Sequence, residues 1–303
     1  MTATVPSAPA AARVVDGTRH LPALLGERGA ARFACLHLPT VPRERGAARA
    51  VVVLCSSIGA EWKYNYRREV LLARMLAHGG IAAVRFHYLG TGHSDDGVAD
   101  FGGMVADARA AESWAHTVTG TSASLFFGAK FGALVAAAAG RPSAAPVVVW
   151  GAPATGADYF RELFRLERAG RLGSGLDASP EPADSPRLRL ARGEPADVLG
   201  YTVPAELYAS ARNVTFEDAL GSPPRTVRLI EVSTERAAQR ALGRRVDRLA
   251  ARGFRVSSSR IAEDRSWWLH DADWRPDEER ESVRSLLVDT VRWSETVLSG
   301  ASG

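Results

Sequence analysis

Apolar positions in this chain come in two kinds of run. Ala50 to Ser56 (AVVVLCS) is apolar without a break, as a strand covered on both faces is, and Ile81 to Tyr88 and Ala145 to Trp150 (APVVVW) read the same way. Between them, apolar residues recur every three or four positions. Val70, Leu71, Met75 and Leu76 make such a stripe over 64–78, which Gly79-Gly80 closes, and Met104, Val105, Ala108, Ala111 and Trp114 make another over 101–116. Arg32 to Pro39 (RFACLHLP) alternates and predicts an early edge strand. Strands and helices alternating at this spacing predict a doubly wound, mostly parallel sheet with right-handed crossovers.

The most informative junction is Ser124 to Gly140. A short apolar run ends in Gly128-Ala129-Lys130-Phe131-Gly132, and an alanine-rich segment of good helix formers follows at once, which predicts strand, tight turn, helix. Two glycines four apart around one central residue form the pattern of the G-x-S-x-G elbow, where small residues let a strained turn pack and the central side chain points into a site. Here the centre is Lys130.

After Gly156 the pattern changes. Asp158 to Arg171 reads as helix, 173–194 is rich in Gly, Pro, Ser, Asp and Arg, and Ala196 to Arg212 reads as helical again around Gly200 and Pro204. Nothing in it has the pattern of a central strand. The alternation resumes with Thr226 to Ser233 (TVRLIEVS), a basic helix from Arg236 to Arg252, a strand from Phe254 to Ile261 and a last helix from Asp277 to Leu298. The expected division is a loose tail over 1–30, core over 31–155, an insertion over 156–222 and core again over 223–303.

Composition narrows the class. The formal charge of +4 comes from 38 basic and 34 acidic residues along 303, without a run of like charges, which argues against nucleic acid as partner. Lys63 and Lys130 are the only lysines, so arginine is the default cation, and lysine alone of the two can lose its proton when desolvated. Cys35 and Cys55 lie in apolar runs and read as reduced, buried thiols. The first seventeen residues lack a basic start followed by an unbroken apolar core, and no apolar stretch reaches the roughly 18 residues of a membrane span, so a cytoplasmic protein with no membrane partner is expected. No His, Cys or carboxylate cluster has metal-ligand spacing, and Gly90-Thr91-Gly92 lacks the third glycine of a dinucleotide fingerprint, so neither metal nor cofactor is expected.

Several stretches resemble the α/β-hydrolase superfamily, and more narrowly the serine-aminopeptidase-like proteins that include the exosortase A system-associated hydrolases. The likeness runs from about Ala50 to Leu298. It is carried by Gly59-Ala60-Glu61 with Asn65 and Arg68, by Gly90-Thr91-Gly92-His93-Ser94, by Trp150-Gly151-Ala152-Pro153 continuing into 156–163, and by Leu199-Gly200-Tyr201. The resemblance implies an α/β-hydrolase fold with a helical cap inserted over the C-terminal edge of the sheet. It also implies a site built, in chain order, from the elbow residue, an acid after a late strand and a histidine in the last loop.

The matching positions are Lys130, Glu235 and His270, with Asp264, Asp271 and Asp273 as other candidates for the acid. Backbone N–H groups of Ser57, Ile58 and Phe131 are the expected oxyanion hole. Glu61, Trp267 and Trp268 are the expected pocket residues, with the alternative that Glu61 holds its own loop through Arg67 or Arg68 and the tryptophans pack the core, which the residues by themselves favour. Lys130 can neutralise a buried carboxylate, act as a neutral amine nucleophile, or bind a substrate carboxylate while His270 acts as base. Two functions follow: an enzyme for hydrolysis, acyl transfer or lyase chemistry on a small acyl or carbonyl metabolite, or an inactive pseudo-hydrolase that binds a ligand or serves a pathway as an accessory.

Overall fold

The computed structural model describes residues 13–15, 17–39, 48–98, 100–173, 185–263 and 281–300. In chain order the strands are β1 (Arg13–Val15), β2 (Thr18–Leu25), β3 (Arg32–Pro39), β4 (Val51–Cys55), β5 (Ala82–Phe86), β6 (Ser124–Ala129), β7 (Val147–Trp150), β8 (Ala196–Val198), β9 (Tyr201–Val203), β10 (Thr226–Val232) and β11 (Arg255–Ile261). The helices are α1 (Gly59–His78), α2 (Phe101–Thr119), α3 (Gly132–Ala139), α4 (Gly156–Gly173), α5 (Pro186–Ala191), α6 (Ala205–Ala211), α7 (Phe216–Leu220), α8 (Arg236–Ala251) and α9 (Glu281–Gly300).

Among the described residues, nine strands form one sheet in the order β1-β2-β3-β5-β4-β6-β7-β10-β11. From β5 to β11 every pairing is parallel, while β1–β2, β2–β3 and β3–β5 are antiparallel. The continuous apolar runs occupy the middle of the sheet. Val51 to Cys55 and Val147 to Trp150 are buried at every position, as a strand with helices on both faces must be. The chain leaves β4 toward one side of the sheet and β6 toward the other, so the loops after these two strands meet at a switch point. Open α/β sheets carry their ligand crevice there.

Two buried anchors tie the layers together. The Trp150 indole donates to Thr290 Oγ1 at 2.8 Å, fixing α9 to the sheet. Arg225, 2% exposed, donates to the carbonyls of Ala145 (2.5 Å), Ala137 (2.7 Å) and Leu220 (3.2 Å), and burial lowers its pKa to about 10. Carbonyls from three separate segments take up Nε and Nη1, which offsets much of the cost of burying the guanidinium, while Nη2 is left without a hydrogen-bond partner.

Three expectations need correction. Arg32 to Pro39 is a strand with the predicted bounds, but it is internal, paired with β2 on one side and β5 on the other. Ala34 to His37 are buried at four successive positions, so both faces of its middle are covered and the alternation in sequence does not track exposure. The tail expected over 1–30 supplies β1 and β2 instead. Residues 196–203, expected as helix, form the β8–β9 hairpin through Leu199 and Gly200, both at positive φ (54° and 79°). Two left-handed residues in succession reverse the chain and end any helix there.

Candidate active site

β6 ends at Ala129 and the chain enters α3 through Lys130, whose φ is +52°. The left-handed region costs a non-glycine residue about 1–2 kcal/mol, and such strain persists only where the surroundings fix it. They do: the Lys130 N–H donates to the Trp150 carbonyl at 2.9 Å. The flanking glycines are required sterically. A Cβ on Gly128 would stand 2.3 Å from the Gly132 oxygen, and one on Gly132 would stand 2.1 Å from the Cys55 oxygen and 2.6 Å from that of Ser56. Elbow and β4–α1 turn therefore touch backbone to backbone, with the geometry of a nucleophile elbow and a lysine at its tip.

The side chain that meets Lys130 is Glu61. α1 begins at Gly59, five residues before the apolar stripe, which puts Glu61 in the first turn where the helix N-terminus favours a carboxylate. Glu61 is 1% exposed; Oε2 accepts from Ser57 Oγ at 2.5 Å, and Oε1 lies 3.9 Å from Lys130 Nζ, whose side chain is 19% exposed. Burial raises the Glu61 pKa, outweighing the opposing pull of the Lys130 charge, the Ser57 hydrogen bond and the neighbouring Tyr159. The buried Tyr159 hydroxyl of α4 sits close enough to act on Glu61 but outside hydrogen-bonding geometry. The Phe131 ring packs on Tyr159 and Phe160, holding α4 over the elbow.

A second buried carboxyl lies behind the turn. Ser56 Oγ donates to Glu69 Oε2 at 2.5 Å, and burial pushes Glu69 up to about 7. Such an acid stabilises the fold below its unfolded value of 4.5 and loses that contribution as pH rises toward 7. His87 opposes it: burial holds His87 at about 4, so its contribution is complete above 6.5 and lost on acidification. Glu69→Gln keeps an acceptor for Ser56 and removes the first of these. Denaturant titrations at pH 5 and pH 8 should show the variant gaining on wild type by of order 3 kcal/mol at the higher pH. A difference that does not change with pH overturns the assignment.

The expected site residues come together in part. Ser57, Ile58 and Phe131 stand on the two abutting turns. Glu61 meets Ser57 and Lys130. Glu235 is exposed at the N-cap of α8, its N–H donating to Ser233 Oγ at 3.0 Å and its charge felt at Arg165 of α4. His270, Trp267 and Trp268, with Asp264, Asp271 and Asp273, lie outside the described residues. The closeness of Tyr159 to Glu61 had no signal in the sequence, whereas the four-residue step from Ser57 to Glu61 was visible there.

A cavity of about 390 Å³ borders the turn at Ile58 and is walled by Trp62, Met104, Leu163, Leu199 and Leu207, among other mostly apolar groups. Lys130 and Glu61 do not line it. Both cysteines are buried and free. Among the described residues, no group of three or more His, Cys, Asp or Glu could hold a metal ion, and no helix is long and apolar enough to cross a membrane.

No protein-family model matches the chain, and no curated protein matches it. Solved structures do. Est1E from Butyrivibrio proteoclasticus superimposes with a TM-score of 0.58 at 12% identity, over 92% of this chain and 99% of that one. An alpha-beta hydrolase from Vibrio vulnificus gives 0.54 at 14% identity over 93% and 81% of the two chains, and a proline iminopeptidase from Mycobacterium smegmatis gives 0.54 at 13% over 91% and 99%. At these identities the likeness establishes the fold.

Proposed function

From an α/β-hydrolase fold whose elbow carries lysine, we propose an enzyme acting on a small acyl or carbonyl metabolite, in which Lys130 serves as a fixed ammonium and not as a free-amine nucleophile. The observation that carries this reading is the 3.9 Å approach of Lys130 Nζ to the buried Glu61. At that distance the two side chains form an ion pair, and an ammonium cannot attack a carbonyl. An ammonium at the elbow tip can instead hold a substrate carbonyl or carboxylate oxygen, with N–H groups of Ser57, Ile58 and Phe131 sharing the charge that develops there. His270 is proposed as the base on water or substrate and Glu235 as its acid partner; chain order supports both. Residues 156–222 are proposed as a cap, because α4 packs on the elbow and the β8–β9 hairpin walls the cavity.

The test is turnover of a panel of small esters, thioesters and carbonyl compounds, coupled to borohydride trapping. Wild type should turn over at least one member; Lys130→Met should lower kcat/KM by about 100-fold or more, the scale of losing one charged transition-state contact. Lys130→Arg should retain part of the activity, and trapping should leave no mass on Lys130. A trapped adduct on Lys130 sinks the fixed-charge reading in favour of amine catalysis. The second reading, a pseudo-hydrolase that binds without turnover, is favoured by the absence of serine at the elbow; ligand binding unchanged by His270→Ala, with no turnover, would establish it.

A further inference from the structure

The formal charge of the chain is not spread evenly once folded. α8 holds five arginines and one aspartate, a net +4 in sixteen residues, equal to the formal charge of the whole chain. Arg236, Arg240, Arg244 and Arg248 follow at four-residue steps, about 6 Å apart along the axis and about 40° around it, so the first three share one face. That face is solvent: all four are exposed. Arg245, by contrast, turns inward, donating to the carbonyls of Ala152 (2.7 Å) and Pro153 (2.9 Å) and covering the Phe216 ring. Arg248 pairs with Glu217 at 3.1 Å. Arg236, Arg240 and Arg244 have no carboxylate partner among the described residues.

We propose that this face of α8 docks the acidic helix of a partner protein. Charge complementarity requires an anion, and the rest of the surface selects among anions. Ala237 and Gly243, small and exposed, lie among the arginines, so another helix can approach closely. No Trp, Phe or Leu points outward to enter a bilayer, as interfacial helices require, and no exposed aromatic is present to stack on a base. Carboxylates repeating every fourth residue on a helix match the 6 Å arginine spacing tooth for tooth. The inference does not depend on the proposed chemistry.

The probe is a labelled alanine-based helical peptide of about 21 residues, roughly 30 Å long, with glutamate at every fourth position. Its isomer, with the same glutamates scattered round the helix, is the control. Fluorescence anisotropy with the full chain should show the ordered peptide binding at least tenfold tighter than its isomer. That advantage should fall with salt and disappear in the Arg236→Gln, Arg240→Gln, Arg244→Gln triple variant, with Arg240→Gln alone giving a partial loss if the triple variant folds poorly. Equal binding of the two peptides, or no binding of either, overturns the proposal. So does tighter binding, through the same arginines, of a 20-base-pair DNA duplex or of phosphatidylglycerol vesicles.

Discussion

Lys130→Met is expected to lower stability by about 2 kcal/mol at pH 8 and by progressively less as the pH falls. Breaking a buried ion pair costs about 3–5 kcal/mol because the abandoned charge stays buried, and partial exposure of Lys130 and the 3.9 Å separation reduce that figure. The pH dependence follows from Glu61. Its folded-state pKa is already raised, and the Lys130 charge is the largest influence holding it down, so the variant raises it further. An acid with a raised folded pKa favours the fold while protonated and opposes it once ionised, so the deficit develops above the ordinary carboxylate range. Adding Glu61→Gln should recover most of the loss. Denaturant midpoints of wild type and the two variants across pH 5–8 give the answer: a deficit that is flat in pH, or that Glu61→Gln leaves untouched, would show that the two side chains are neighbours without an energetic link. Methionine keeps the strain of a left-handed elbow, so the comparison isolates charge.

Gly132→Ala should lower stability by more than about 4 kcal/mol or prevent folding, the tail of the distribution for single substitutions. The new methyl would meet two backbone oxygens, those of Cys55 and Ser56, and neither can rotate away as a side chain could. Relief requires β4 and α3 to separate at the switch point of the sheet, where Ser57 and Glu61 are positioned. Gly243→Ala is the contrast. Nothing lies within 4 Å of its added carbon and it sits in the exposed face of α8, so ordinary helix propensity applies and a gain of about 0.8 kcal/mol is expected. Thermal melts of both variants suffice; a Gly132→Ala protein that melts like wild type removes the steric account of the elbow.

The sequence made the buried half of this protein legible and much of the site opaque. Strands such as VVVLC and VVVW declare themselves because burial on both faces excludes polar residues throughout. The elbow was legible because two glycines and a following helix are local features. β2 was not: Pro22 and the mixture of His20, Arg19 and Thr18 obscure a strand that is only half buried. The β8–β9 hairpin was missed because three-residue strands carry no period. Glu61 and Lys130 were each singled out, but their pairing was not, since Lys130 lies on a different strand's loop and only the register of β4 beside β6 brings them together. Arg245 and Arg225 look like surface cations in sequence and become interior clasps only when carbonyls from distant segments converge on them.

Among the described residues the nine-stranded sheet is open and has two margins, each able to template the addition of another chain. β1 covers only Thr18 to His20 of β2, and the uncovered remainder of β2 contains Pro22, which offers no N–H. At the other margin β11 reads RVSSSRI, with arginines at its first and sixth positions and three serines between. Charge, hydroxyls and a missing donor are the devices that keep sheets from growing edge to edge. The same strands that complete the fold thus also protect it against polymerisation.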